Sequence, residues 1–173
     1  MKLTVTLALG MSFFLAACSP IEQTSPEASE SSRKDIGHHM TETNTPLIKT
    51  IESPYSFTET VARVDASIGK RPLNLFAKID HAAGAAKADL TLEPSTLFIF
   101  GNPKGGTPLM ARNPQMGIVL PLKMHVYQTS DKVMVSYTDI AAEAESHGLD
   151  TEQSPIPNIV KMLEGLAGEV IAP

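Results

Sequence analysis

Apolar residues change their spacing several times along the chain, and each spacing predicts a different element. Leu47, Lys49 and Ile51 alternate with Ile48, Thr50 and Glu52 ahead of Pro54, which predicts a short strand. Phe57, Val61, Val64 and Ile68 then recur at helical spacing. Ser56 and Glu59 frame the start of that helix as a capping box, and Gly69 and Pro72 mark its end. Leu73, Leu75, Ala77 and Ile79 alternate with Asn74, Phe76, Lys78 and Asp80, the pattern of a half-buried strand. Asp80 is placed to cap a short alanine-rich helix, His81 to Ala88, weakened in its middle by Gly84. Leu97-Phe98-Ile99-Phe100 is a continuous apolar run closed by Gly101-Asn102-Pro103, so a strand buried on both faces and central in its sheet is expected.

A glycine- and proline-rich turn, Gly101 to Pro108, leads into a short helix expected to use Thr107 as cap and Pro108 as first residue. Leu122, Met124 and Val126 oppose Lys123, His125 and Tyr127, and after a turn at Ser130-Asp131 the run Val133 to Thr138 completes a hairpin. Asp139 caps a helix ending near Gly148. Asn158 is the expected start of the last helix, whose Ile159, Met162, Leu163, Leu166 and Val170 form an apolar stripe. That stripe suits packing on the domain or pairing with a second copy in a homodimer equally well.

The first eighteen residues follow a different rule. Lys2 precedes an apolar run from Leu3 to Phe14 that is too short to cross about 30 Å of hydrocarbon comfortably, and it reads as the core of a signal peptide. Leu15-Ala16-Ala17-Cys18 resembles the bacterial lipobox, in which the peptide is cut before the cysteine and the thiol is acylated. Multiple acyl chains give lasting attachment, so membrane lipid joined through Cys18 is the first expected partner. By the same analogy Ser19, rather than Asp, suggests the periplasmic face of the outer membrane in a diderm cell. Residues 19–46 are rich in Ser, Thr, Pro and Glu with few apolar positions, a composition that buries too little surface to offset its ordering entropy. As a flexible coil this tether spans roughly 30 Å end to end. The expected organisation is a signal peptide over 1–17, a lipidated disordered tether over 18–46 and one domain over 47–173.

Composition narrows the chemistry. With 173 residues, 42% of them apolar, and a net charge of -5, there is room for one ordinary domain and little else. The acidic balance and the lack of a Lys/Arg cluster argue against a nucleic-acid partner. Cys18 is the only cysteine, so once it is lipidated no thiol remains for disulfides, thiolate catalysis or cysteine-based metal sites. No cofactor is called for.

Four segments are recognisable together: Asp80-His81-Ala82-Ala83-Gly84-Ala85-Ala86, Phe100-Gly101-Asn102-Pro103-Lys104, Thr107-Pro108-Leu109-Met110 and Leu120-Pro121-Leu122-Lys123. In this order they resemble the family called domain of unknown function 302, over roughly residues 48 to 147. The resemblance implies an α+β domain of the TATA-binding-protein-like type: a strand, a helix, four strands and a helix. The elements read from periodicity match that order if the short connecting helices count as insertions. The namesake's DNA-binding role does not follow, because fold does not carry function.

The candidate site residues are Asp80, His81, Asn102 and Lys104. Asp80 could orient the His81 imidazole at a strand-to-helix junction, or simply cap the helix. Asn102 to Thr107, with Lys104 and two glycines, could bind an anion or form an ordinary tight connection. Lys123, His125 and Tyr127 read as a solvent-facing strand side, Met110, Met116, Met124 and Met134 as core filling, and His38-His39-Met40 as linker rather than a metal site. Two functions fit. The preferred one is a non-enzymatic module that holds a small anionic or amphipathic ligand, or an envelope protein, between the sheet and the 80–88 and 102–113 segments. The alternative is an envelope hydrolase or isomerase with His81 as general base, Asp80 as its orienter and Lys104 or loop amides stabilising negative charge.

Overall fold

In a computed structural model the described residues are 47–173. The expected signal peptide, Cys18, the tether and His38-His39-Met40 lie outside them. The elements run β1 (Ile48–Ser53), α1 (Phe57–Gly69), β2 (Asn74–Asp80), α2 (His81–Ala86), β3 (Ser95–Gly101), α3 (Pro103–Arg112), α4 (Met116–Val119), β4 (Leu122–Thr129), β5 (Lys132–Thr138), α5 (Ile140–Ser146) and α6 (Ile156–Ile171). With α2, α3 and α4 as insertions this is the expected α+β order, closed by two helices instead of one. The five strands form one antiparallel sheet in the order β1-β5-β4-β3-β2.

The pleat sorts side chains between two faces. Phe98 and Phe100 of β3, Leu122, Met124 and Val126 of β4 and Val135 of β5 turn to one side and are buried under α1 and α6. Val64 and Ile68 of α1 and Leu163, Leu166 and Val170 of α6 complete this core. The apolar stripe of α6 is therefore used within the domain, packed against α1. A polar clasp fixes the pair: Arg71 donates to Glu169 Oε1 at 2.7 Å and to Ser67 Oγ at 2.7 Å, and Ser67 donates to Glu169 at 2.9 Å. Two charge-assisted bonds lower the Glu169 carboxyl to about 2, those from Arg71 and Ser67.

Several local expectations change. Ser56 does cap α1, accepting from the Glu59 amide at 3.3 Å. β2 is an edge strand whose pairing with β3 shifts between Leu75 and Ala77, so Phe76 bulges out and the expected half-buried alternation is lost. β3 lies inside the sheet but is fully buried on one face only; Leu97 and Ile99, on the other, are half-buried. α3 begins at Pro103 with Asn102 as its cap, not at Pro108 with Thr107. Proline at N1 suits a helix start because its missing N–H would have no partner there, and Asn102 supplies the side-chain acceptor that Thr107 was expected to give. α6 likewise begins before Asn158.

Candidate functional site

An apolar recess lies where β3 ends and β4 begins. Asn102 caps α3 by accepting from the Lys104 amide at 2.9 Å, while its own amide donates to the Pro72 carbonyl at 2.8 Å. These two hydrogen bonds tie the start of α3 to the loop before β2, beside a cavity of about 210 Å³. Its walls are Leu73 and Phe76 at the β2 edge, Gly101 to Pro103, Gly105, Gly106 and Met110 from the end of β3 and α3, Leu120 to Leu122 before and in β4, and Ile159 and Met162 on α6. An apolar cavity of roughly 150 Å³ admits benzene, so this one accommodates a somewhat larger hydrocarbon group.

The adjacent glycines belong to the wall. Gly105 and Gly106 sit inside a helix, where each is less favourable than alanine by roughly 0.5–1 kcal/mol. A Cβ at Gly105 would meet Ile159 side-chain atoms at 3.7 and 3.8 Å, and one at Gly106 would meet Leu120 Cδ1 at 3.4 Å. Both methyl groups would project toward the lining of the cavity. The segment read as an anion loop or a tight connection is a helical turn against an apolar recess, and its glycines leave room beside Ile159 and Leu120 of the lining.

The four candidate residues do not converge. Asp80 pairs with Thr96 at one end of the β2–β3 ladder, and Asn74 with Gly101 at the other. Six residue steps of strand, about 20 Å, therefore separate Asp80 and His81 from Asn102 and Lys104. Lys104 is in no position to stabilise charge at His81. The Asp80 carboxylate accepts from the Ala83 amide at 2.8 Å, so it caps α2. The recess uses part of the 102–113 segment and none of the 80–88 segment.

His81 instead meets a strand residue. Its ring packs edge-on against His125 with centroids 5.9 Å apart, and His125 stacks on Tyr127 at 4.9 Å. His125 Nε2 and Ser95 Oγ share a hydrogen bond of 2.7 Å. Burial and, second, the neighbouring His81 hold His125 below the usual imidazole range. Lys123, on the same strand face, donates to the carbonyls of Val119 and Pro121 at 2.9 and 3.0 Å, and burial lowers its ammonium below the usual range. Met116 and Met124 are core, whereas Met110 lines the recess and Met134 is half-buried on the outer face.

The family model described as Domain of unknown function DUF302 matches residues 49–166, most of the described chain. The chain belongs to the DUF302 family. A crystal structure of an uncharacterised conserved DUF302 protein from Bacillus stearothermophilus superposes with a TM-score of 0.64 at 17% identity, covering 73% of this chain and 99% of that one. That likeness extends to the fold. Over 101 residues the DUF302 chain is also 41% identical to proteins named Fluoride-specific ion channel FluC 1, from Brucella suis biovar 1 (strain 1330) and Brucella abortus biovar 1 (strain 9-941). The match takes in 58% of this chain and 40% and 37% of those proteins, so the chain spans well under half of the curated relatives' length. Among the described residues no helix is long and apolar enough to cross a membrane.

Proposed function

We propose that this chain is an envelope lipoprotein, anchored through Cys18, whose DUF302 domain binds the apolar part of a small amphipathic ligand behind α3. The observation that carries this reading is the apolar recess of about 210 Å³ with helical glycines in its wall. A protein interior is ordinarily filled to crystal-like density, and a recess kept open by residues that weaken their own helix is better suited to a ligand than to stability. The lipobox at Cys18 supplies the address. Relatives named as ion channels share a similar stretch, which agrees with work beside a membrane, while fluoride conduction is not carried over from proteins matched over 40% of their length.

The ligand class sets the assay. Burial contributes roughly 0.8 kcal/mol per methylene, so six methylenes give about 5 kcal/mol before the cost of association, which limits the affinity to about the millimolar range or weaker. The described residues, 47–173, correspond to a fold that makes up nearly the whole of the solved relative, which makes residues 42–173 a suitable test molecule. Octanoate should displace a bound fluorescent apolar dye from this domain in a saturable manner. It should do so more weakly from a Gly105→Ala, Gly106→Ala double variant of unchanged fold. Equal displacement from both proteins contradicts the site.

The alternative enzyme, with Lys104 serving His81, loses its geometric basis because the two lie at opposite ends of the β2–β3 ladder.

A further inference from the structure

The mouth of the recess is ringed by apolar side chains that the fold leaves in solvent. Phe76, pushed out by the β2 bulge, is 55% exposed, and Met110 on α3 is 36% exposed. Both line the recess. α4 lies against Met110: a Cβ on Gly117 would be 3.9 Å from Met110 Sδ, and the next residue, Ile118, is 86% exposed. Phe76 and Met110 thus flank the recess from two elements, and Ile118 adds a third exposed apolar group on the short helix beside Met110. Isolated exposed apolar residues are ordinary, but a group of them around an apolar cavity marks an interaction surface.

Charge identifies the partner. The chain carries a net charge of -5, yet from Pro94 to Ser130 it contains Lys104, Arg112 and Lys123 and not one Asp or Glu. Lys104 stands exposed between Pro103 and Gly105, both of which line the recess. Arg112 lies in the last turn of the same helix, where it donates to the Ser154 carbonyl. The acidic residues that give the chain its net charge lie outside this stretch. Apolar tips beside an exposed lysine, in a stretch without acidic residues, complement an anionic lipid leaflet: the apolar groups enter the acyl boundary and the Lys104 ammonium meets headgroups.

We infer that the face bearing Phe76, Met110 and Ile118 docks onto an anionic lipid leaflet, so that the recess opens directly toward the acyl chains. The docking step stands on the exposed rim and the local charge. Only the acyl chain as occupant of the recess rests on the reading proposed above. A lipid on Cys18 would hold the domain within about a tether's length of such a surface, roughly 30 Å, and docking would turn a loosely held domain into an oriented one.

The test uses the mature chain with Cys18→Ser, so that no anchor contributes. It is measured by flotation with phosphatidylcholine vesicles and with vesicles that also contain phosphatidylglycerol. The expected result is binding to the anionic vesicles that weakens with salt and falls at least about tenfold in a Phe76→Ser, Ile118→Asp variant. Lys104→Glu should weaken binding to the anionic vesicles, and Lys132→Ser, on the β5 side of the sheet, should not. Absence of vesicle binding, or binding that persists in the Phe76→Ser, Ile118→Asp variant, overturns the inference. So does a dimer that Ile118→Asp dissolves, since it would assign the face to a second copy. Ile118 does not line the recess, so octanoate binding by Ile118→Asp reports on the recess separately. No flotation of the Cys18→Ser chain together with saturable octanoate binding overturns the docking face and leaves the binding site standing, and flotation without octanoate binding does the opposite.

Discussion

The His125 ring is wedged between the His81 ring, the Tyr127 ring and the Ser95 hydroxyl. Its pKa lies below the ordinary 6.5, chiefly through burial. A base depressed in the folded state binds protons more readily when unfolded, so its contribution to stability is complete above that ordinary value and declines as pH falls through it. The melting temperature should therefore drop as pH falls below the ordinary imidazole value, and His125→Gln should flatten that part of the profile. A profile unchanged by His125→Gln would remove the role. Glu169 works over a lower window: its pKa of about 2 lies beneath the ordinary 4.5, so the clasp to Arg71 and Ser67 is intact above that value and lost as pH approaches 2. Cys18 makes a separate prediction. Labelled palmitate should enter the wild-type chain in a diderm host and not Cys18→Ser, and equal labelling of both would refute the anchor.

Among the elements, α3 carries the clearest separation of structure from function. Gly105→Ala should raise helix stability by roughly 0.5–1 kcal/mol, because its Cβ meets only ordinary contacts. The same methyl should weaken octanoate binding, so thermal denaturation and ligand titration should move in opposite directions. Asn102→Ala should lower stability by about 0.5–2 kcal/mol by removing the cap and the bond to Pro72, which makes Asn102 a structural residue of the site. Much of this level was legible in advance. Capping residues and alternation gave α1, α2, β4, β5 and α5 close to their observed extents, because those signals are local. The start of α3 was missed because Thr107-Pro108 offers the same cap-and-proline signal as Asn102-Pro103, and only packing chooses between them. The exposure of β2 was missed because edge position and a bulge are properties of pairing, which alternation along one strand does not encode.

At the scale of the whole molecule, the sheet order decides which candidates can cooperate. Pairing Asp80 with Thr96 and Asn74 with Gly101 sends His81 and Lys104 to opposite ends of one ladder. It brings Phe76, Leu120 and Ile159, each from a different part of the chain, to a common recess. No local pattern marked those three as partners, since each alone is an ordinary apolar residue. The helix-facing side of the sheet, with Phe98 and Phe100 fully buried beneath α1 and α6, is the frame that holds the recess in place. Phe98→Ala should lower stability by about 3–5 kcal/mol, read by chemical denaturation. The central claim is that the space behind α3 takes an apolar ligand. Its most direct test is an amide-correlation NMR titration of residues 42–173 with octanoate. Saturable shifts centred on Gly101, Gly105, Gly106 and Leu120, much reduced in the Gly105→Ala, Gly106→Ala double variant, are the predicted result. Shifts that never saturate, or that centre on Ser95 and His125, would contradict it.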